Sequence, residues 1–311
     1  MADHGQGLFG LFKQTGKDFL DDDCMDAAAA LSYYTIFSLP AVLVLLLMLL
    51  SVVMNGADVR GGLEGQLQSI MGPTAGEQVR TIISQAQQKP HGGFLPTILG
   101  IIGLLAGATG ALGQLQKTLN RTWNVEPDPN QGGIKTFLSK RLFSFGMILM
   151  IAFFLLISLI LSAALTGLGG RLGGFLPAGV STVLLEVVNT VVSLAVITLL
   201  FAAMFKVMPD AKISWRSVWV GALVTAVLFV IGKFVIGLYL GKSNPGQAYG
   251  AAGSLAVLLL WIYYSSLILL FGAEFTQTWA ERRGEGLEPE PGAVRVQREK
   301  QRVGEVNPAT R

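Results

Sequence analysis

Five polar residues stand inside strongly apolar stretches of the chain, where their side chains could do chemistry. Four of them, spaced at i, i+3, i+4 and i+7, form one polar stripe on a helix: Glu186, Asn189, Thr190 and Ser193. The fifth, Lys233, lies in the apolar run FVIGKFVIG with no acidic residue near it. Ionisable groups in such surroundings usually face the interior of a helix bundle and mark a substrate or ion path. These five residues form the candidate polar path.

Glu186 and Lys233 are predicted to lie at nearly the same depth on consecutive antiparallel helices. At 1.5 Å of rise per residue, Glu186 is about 8 Å and Lys233 about 10 Å from the same end. Equal depth favours an ion pair between the two side chains. The alternative is that Lys233 extends alone toward the membrane surface, because its long side chain can cover much of that distance. We favour the pair.

The sequence contains few residues suited to metal binding, disulfide formation or nucleophilic catalysis. The chain has two histidines, His4 and His91, and one cysteine, Cys24. A single cysteine cannot form a disulfide within the chain. The two histidines are predicted to lie in different compartments, which excludes a histidine metal cluster and a Ser-His triad. We expect no cofactor, no metal ion and no enzymatic activity.

The elements that carry the candidate path are predicted to be membrane-spanning helices. Of the 311 residues 51% are hydrophobic and 14% are charged, with a mean hydropathy of +0.55, unlike an ordinary soluble domain. Each of six apolar blocks could supply the helix of about 20 residues that crosses a bilayer: 31–54, 94–116, 142–165, 181–205, 217–240 and 251–275. The predicted fold is an all-α polytopic membrane bundle with six transmembrane helices.

The distribution of basic residues predicts the orientation of this bundle. Seventeen of the 23 lysines and arginines fall on the side that carries both termini, and five fall on the other side. The positive-inside rule therefore places both termini in the cytoplasm. The net charge of +3 reflects this topology and does not indicate nucleic-acid binding.

Three regions flank or connect the predicted spans. Residues 1–30 form a cytoplasmic N-terminal segment with an amphipathic helix suited to the membrane surface. Within the transmembrane domain 31–275, the outer loop 55–93 is predicted to form two short amphipathic helices separated by GPTAG. The tail 276–311 is charged and contains Pro and Gly without periodicity, so we predict that it is disordered.

Glu274 ends the last predicted span, in LLFGAEF. A helix C-terminus disfavours a carboxylate, so its presence there needs a reason. One is access to water at the cytoplasmic boundary. The other is a partner at the same level: Asn120, Arg121 or Arg216.

Four sequence blocks, in order along the chain, resemble those of a known family: DAAAALSYYTIFSLPAVL, LNRTWNV, VMPDAKISWRSVWVGALVTAVLF and YGAAGSLAVLLLWIYYSSLILLFGAEF. By these blocks the chain resembles the YihY/virulence factor BrkB family over about residues 8–280. The motif residues whose role the resemblance leaves open are Tyr33, Tyr34, Pro40, Asn120, Trp123, Tyr249, Gly250, Trp261 and Glu274. The resemblance implies a bacterial inner-membrane protein with six spans and supplies no settled biochemical activity.

Some members of that family carry the old label ribonuclease BN, and the sequence argues against this activity. RNA would meet only the cytoplasmic face, where the acidic cluster outside the tail is Asp21, Asp22, Asp23 and Asp26. A metal-dependent nuclease needs converging carboxylates, but these four precede a helix, where acidic side chains cap free N–H groups. No basic groove interleaved with aromatic residues is present outside the tail. We predict neither ribonuclease activity nor a nucleic-acid partner.

Two classes of function fit the remaining features. In the first, the protein is a transporter or translocase of an anionic lipid or similar amphiphile, and the candidate polar path binds the headgroup. In the second, it is a non-transporting envelope-integrity or scaffold protein, and the polar groups only fix helix register. Intramembrane ionisable residues favour the first class. Membrane lipids are the expected partners in both.

The predicted topology can be tested with introduced cysteines. Cysteines in place of Arg60 or Lys242 should react with an impermeant thiol reagent from outside the cell. Cysteines in place of Lys135 or Arg295 should not react, because we place them in the cytoplasm. The unmodified chain, which carries only Cys24, gives the background. The opposite labelling pattern would contradict the six-span topology with both termini inside.

Overall fold

The structure is a computed structural model that describes nine parts of the chain: 7–52, 56–86, 110–129, 142, 146–158, 160–161, 178–243, 252–286 and 288–296. Eight helices occur in these parts, in chain order: α1 (Leu8–Asp21), α2 (Cys24–Leu50), α3 (Gly56–Ala86), α4 (110–122), α5 (Gly146–Ser158), α6 (Ala178–Val207), α7 (Trp215–Ser243) and α8 (Gly253–Arg282). Four short strands accompany them: β1 (Val125–Pro127), β2 (Ala211–Lys212), β3 (Glu288–Pro289) and β4 (Ala293–Arg295). The all-α fold class is confirmed.

Four of the described helices are long and apolar enough to cross a membrane. The apolar stretches are Cys24–Leu50 in α2, Thr190–Val207 in α6, Trp215–Leu240 in α7 and Leu255–Arg282 in α8, and α5 is a shorter apolar helix. They correspond to the first, fourth, fifth and sixth predicted spans, with ends shifted by a few residues. Most of the predicted second span, 94–116, lies outside the described residues, so the count of six stays a prediction.

Exposed side chains on α7 show how this helix fits a bilayer. An apolar stripe includes Leu223, Val227, Ile231, Phe234 and Leu238, all exposed. Exposed aromatic residues bracket it, with Trp215 and Trp219 at one end and Tyr239 at the other. From Trp219 to Tyr239 the helix rises about 30 Å, the thickness of a bilayer's hydrocarbon core. Aromatic residues at both ends of an apolar stripe are typical of membrane interfaces.

Helix α8 lies at the centre of the described bundle. It packs against α1, α2, α3 and α7, and α6 packs against α7. Seven consecutive residues of α8, 272–278, are buried. A helix that is buried all round is surrounded by other elements at that level. The side chains of this stretch are therefore held by protein contacts on every face.

Matched glycine–threonine pairs allow α7 and α8 to approach closely. Gly221 and Thr225 are four residues apart on α7, and Gly272 and Thr276 are four apart on α8. A β-carbon at Gly221 would overlap the side chain of Thr276, and one at Gly272 would overlap that of Thr225. Each threonine hydroxyl donates to the carbonyl of its own helix's glycine at 2.6 Å, which satisfies it without a partner across the interface. Small residues at this spacing permit close helix packing in lipid.

The described part of the predicted outer loop, residues 56–86, contains two helices joined as the two halves of α3. They meet at Gly72, whose φ of 80° is one that glycine adopts readily. Leu63 in the first half, and Val79 and Ile83 in the second, are buried against the bundle. The whole segment therefore packs on the ends of the long helices, with contacts to α2, α7 and α8.

The N-terminal helix α1 is present as predicted, but its apolar face packs on protein. Leu11 and Thr15 are buried, and the Phe12 ring lies 5.2 Å from that of Phe275. Lys13 and Lys17 are exposed, as the pattern indicated. Helix α8 therefore takes much of the apolar surface that the sequence assigned to the membrane.

The predicted disorder of the tail 276–311 is wrong for its described residues. Helix α8 continues to Arg282, and β3 and β4 then pair antiparallel with β2 and β1. Side chains add to the pairing, since Ser214 and Ser217 both donate to the Glu285 carboxylate. Backbone groups in β1 and β2 need hydrogen-bond partners, and the tail supplies them despite its lack of periodicity. Residues 297–311 lie outside the described part.

Replacing Gly221 or Gly272 by valine should destabilise the protein. Overpacking a close contact costs typically about 1–3 kcal/mol, so each variant should unfold at a lower temperature in detergent. The control is Gly237→Val on α7, because nothing lies within 4 Å of a β-carbon added there. Equal losses in all three variants would show that helix propensity, and not the α7–α8 contact, sets the effect.

Candidate functional site

Buried polar side chains meet where α1, α2, α4 and α8 converge, and we call this cluster the polar junction. Its members are Asp18, Cys24, Arg121, Thr122 and Glu274. Glu274 lies at its centre with 0% of its surface exposed. A fully buried carboxyl group is rare in proteins unless it is paired, so its surroundings decide its state.

The hydrogen bonds of Glu274 are few and weak. The Cys24 thiol donates to Glu274 Oε1 at 3.4 Å, and thiols are weak donors. The Thr122 hydroxyl also donates a hydrogen bond to this carboxyl. Glu274 Oε2 makes no hydrogen bond with the described residues. The surroundings of Glu274 therefore provide few hydrogen-bond donors to stabilise a negative charge.

Charged groups near Glu274 do not compensate for its burial. Asp22 and Asp18 both lie close enough to repel a charge on Glu274. The nearby cation, Arg121, is engaged by Asp23, with its Nη2 2.6 Å from Asp23 Oδ2. Burial raises the pKa of Asp18 above its ordinary value, although Gln14 donates to it and Thr278 Oγ1 lies 3.4 Å from its carboxylate. The described charges around Glu274 thus do not offset the cost of burying a negative charge there.

Several other buried polar atoms at this end of the bundle lack a hydrogen-bond partner within the described chain. They come from α1, α4, the α4–β1 connection and α8: Thr15 Oγ1, Arg121 Nε, Trp123 Nε1 and Trp279 Nε1. Buried polar groups in proteins are normally satisfied by protein or by ordered water. Ordered water could complete the hydrogen bonds of these atoms.

Both explanations offered for Glu274 are wrong. It does not meet bulk water, since it is completely buried. The described partners of Asn120 and Arg121 are Asp210 and Asp23, not Glu274. Arg216 is exposed and forms no described hydrogen bond or ion pair with Glu274. The sequence pattern missed Cys24 and Thr122, because no local spacing connects them to α8.

The acidic cluster at the start of α2 also differs from its prediction. Asp23 occupies the N-cap position but makes no capping side-chain hydrogen bond, because its carboxylate binds Arg121. Its φ of 50° is left-handed and turns the chain sharply between α1 and α2. Asp26 lies in the first turn, where the helix dipole favours it.

Asn120 joins α4 to the connection between α6 and α7. Asn120 Nδ2 donates to Asp210 Oδ2 at 2.7 Å, and the Asp210 backbone N–H donates to Asn120 Oδ1 at 2.8 Å. Gln116 donates to the second carboxylate oxygen of Asp210 at 3.0 Å. This bidentate arrangement assigns Asn120 a structural role.

The other motif residues are spread over the bundle. Trp123 and Trp261 are buried, and Trp261 packs edge-on against Phe229 at 6.0 Å. Tyr33 and Tyr34 are exposed on α2, and Pro40 lies inside that helix. Tyr249 and Gly250 lie outside the described residues. The motif residues do not form one site in the described part of the chain.

The polar stripe on α6 is only partly described. Thr190 is exposed and Ser193 is half-buried. Glu186 and Asn189 belong to the helix, but their side chains lie outside the described residues. The Glu186–Lys233 pair therefore stays a prediction.

Lys233 has a described partner of a different kind. Its Nζ donates to the backbone carbonyl of Ser69 in α3 at 3.0 Å and lies 5.5 Å from the Phe234 ring centroid. In an uninterrupted helix the Ser69 carbonyl would accept from residue 73, but Pro73 has no N–H. The ammonium replaces that donor near the C-terminus of the first half of α3, where a cation is favoured.

One protein-family model matches most of the chain, including the elements described above. The family model described as Virulence factor BrkB matches residues 15–297. The chain belongs to the BrkB family. The match includes α2 to α8 and the strands of the tail, so the polar junction lies within it.

Relatives of this BrkB family protein are named as membrane proteins. It is 31% identical to a UPF0761 membrane protein of Alteromonas mediterranea over 280 residues, covering 88% of each chain. It is 29% identical to a UPF0761 membrane protein of Pseudomonas aeruginosa, covering 92% of this chain and 68% of the relative. These names mention no reaction or substrate. No solved structure matches the chain.

A mutant cycle separates the two roles of Lys233. If it only caps α3, Lys233→Met should cost about 1 kcal/mol, the usual value of one hydrogen bond, and Glu186→Gln should cost little. If it also pairs with Glu186, each single variant should lose about 3–5 kcal/mol, and the double variant should recover much of that. Thermal unfolding in detergent measures all three. Additive losses would contradict the pair.

Proposed function

We propose that this BrkB family protein is a transporter or translocase that moves an anionic lipid or similar amphiphile across the bacterial inner membrane. The observation that carries the proposal is Glu274, a buried carboxyl in a membrane helix without a basic partner. Burying such a group costs folding free energy, and a bundle that only spans the membrane gains nothing from it. Intramembrane carboxyl groups are typical of transport and proton relay.

Lys233 supports an anionic substrate. Its bond to Ser69 uses one of the three N–H groups of the ammonium, so the others can donate to a headgroup. The neighbouring Phe234 and Val235 are exposed on the apolar face of α7. A phosphate bound at Lys233 would leave its acyl chains along that face, in lipid. This geometry suits an amphiphile better than a water-soluble ion.

The orientation of the bundle is part of the proposal. Helix α1 and the tail strands β3 and β4 lie at the same end, joined through Thr278–Asp18 and the β1–β4 pairing. The excess of lysine and arginine belongs to this end, so we place it in the cytoplasm. The polar junction then lies near the cytoplasmic surface and Lys233 near the outer one.

A scaffold role is the second candidate, and two hydrogen-bonded contacts between elements of the bundle favour it. Asn120 and Lys233 both hold one element of the bundle against another. If all polar groups act this way, the protein stabilises the envelope without moving anything. The two candidates differ in whether lipid crosses the bilayer.

Reconstitution of the protein into lipid vesicles distinguishes the translocase from the scaffold. We expect phosphatidylglycerol vesicles containing the full-length protein to expose inner-leaflet headgroups to an impermeant reagent faster than protein-free vesicles do. Lys233→Met should slow this movement, because it removes the headgroup donor. Gly237→Ala, on the same helix and in open space, is the matched control and should move lipid at the wild-type rate.

Correctly folded protein that leaves the rate at the protein-free level would contradict the translocase and favour the scaffold. Equal rates for phosphatidylcholine and phosphatidylglycerol would contradict the preference for an anionic headgroup. Folding of each sample is checked by its unfolding temperature before reconstitution.

A further inference from the structure

We propose that Glu274 is a proton-binding site, loaded from the cytoplasmic end of the bundle through the corner between α1 and α2. This deepens the proposed function, since it names the proton as the coupling ion of the transporter. Binding forms an O–H bond on the Glu274 carboxylate with a proton from water, and release returns that proton to water. No other bond changes.

The Glu274 carboxyl group is completely buried. An ionised carboxylate inside protein needs either a cation or several strong donors. Glu274 has two side-chain donors, the Cys24 thiol at 3.4 Å and the Thr122 hydroxyl, no cation bound to it among the described residues, and one oxygen without a described partner. A protonated carboxyl needs far less, so the resting protein holds Glu274 neutral. The unpartnered Oε2 is where water could deliver or remove the proton.

The groups facing Glu274 leave it without a compensating charge. Helix α1 contributes Asp18, and the α1–α2 corner contributes Asp22 and Asp23. From α2 comes the Cys24 thiol, and from α4 come Thr122 and Arg121. Arg121 is the cation of this set, and Asp23 binds it.

The remaining neighbours lie on α8 and α7. On α8 the next carboxylate toward the cytoplasmic end is Glu281, which accepts from Gln277 and lies near Arg295. Helix α7 presents Thr225 to α8, a group that does not titrate. Acidic residues therefore outnumber cations around Glu274, which lowers the cost of keeping it protonated.

Polar side chains lie between Glu274 and the surface of α1, and linking them to the carboxyl requires room for water. Thr278, one turn further along α8, donates to the Glu274 backbone carbonyl and contacts Asp18 Oδ2 at 3.4 Å. Asp18 is half-buried, and burial raises its pKa, so it holds a proton more readily than an exposed aspartate. Thr15, with its buried hydroxyl unpartnered, lies on the same helix one turn earlier. Hydroxyl and carboxyl groups in such a row can pass a proton through intervening water.

Infrared spectroscopy of the purified full-length protein tests the site directly. In a detergent without ester groups at neutral pH, the protein should show the carbonyl band of a protonated carboxylic acid. Glu274→Gln should lose that band, because the amide cannot titrate. Glu281→Gln, a carboxylate on the same helix, is the matched control and should keep it.

Glu274→Gln imitates the neutral carboxyl and should fold. Glu274→Met, which is uncharged and of similar length, is the second variant if it does not. A band unchanged in both variants would overturn the proposal, as would a wild-type protein without the band. Loss of the band on raising the pH, in the wild type and in Glu281→Gln alike, would support a site that releases its proton.

Transport gives the second readout and separates the two proposals. Lipid movement in vesicles with a pH difference should depend on that difference in the wild type and lose the dependence in Glu274→Gln. A Glu274-dependent band without lipid movement would overturn the translocase and leave the proton site standing. Lipid movement without such a band would overturn the proton site and leave the translocase.

Discussion

The close contact between α7 and α8 determines how the rest of the bundle is arranged. Gly221 and Gly272 let each helix receive a threonine of the other, so one face of α8 is committed to α7. Helical residues are offset by about 100°, which places Glu274 on nearly the opposite face from Thr276. That face meets α1, α2 and α4. The polar junction therefore exists because the α7–α8 contact turns Glu274 inward.

The unusual feature of the junction is that the N-terminal helix covers the side of α8 that carries its carboxyl. Helix α8 lies against α7 on one side, and α1 crosses the other side, with Phe12 and Phe19 packed on Phe271. A bilayer alone would leave this part of α8 near the interface, where water reaches a carboxylate. The N-terminal helix removes that water. Its packing on protein thus creates the chemistry that its sequence, read as a surface anchor, does not indicate.

Sequence patterns predicted the features that depend on local spacing. Apolar blocks gave the long helices, because bilayer thickness fixes their length, and GPTAG gave the break in α3 at Gly72. Contacts between distant segments could not be read this way. Cys24 and Glu274 are 250 residues apart, and the strand partners in the tail have no periodicity of their own. The acceptor of Lys233 is a backbone carbonyl. The only sequence signal for it is Pro73, whose missing N–H leaves that carbonyl without its helical donor.

The two faces of α8 suggest how a proton on Glu274 could act beyond its own site. The α7 face is held by interlocking small residues, which leave little room for sliding. The junction face is held by aromatic packing of α1 and by polar contacts to Glu274, and the strength of these polar contacts depends on the charge of Glu274. After the C-terminus of α8, strands β3 and β4 pair with β2 and β1 and so connect this end of the helix to both. A change in the charge of Glu274 would therefore act on the end of α8 that β3 and β4 connect to β2 and β1, while the α7–α8 contact lies on the opposite face.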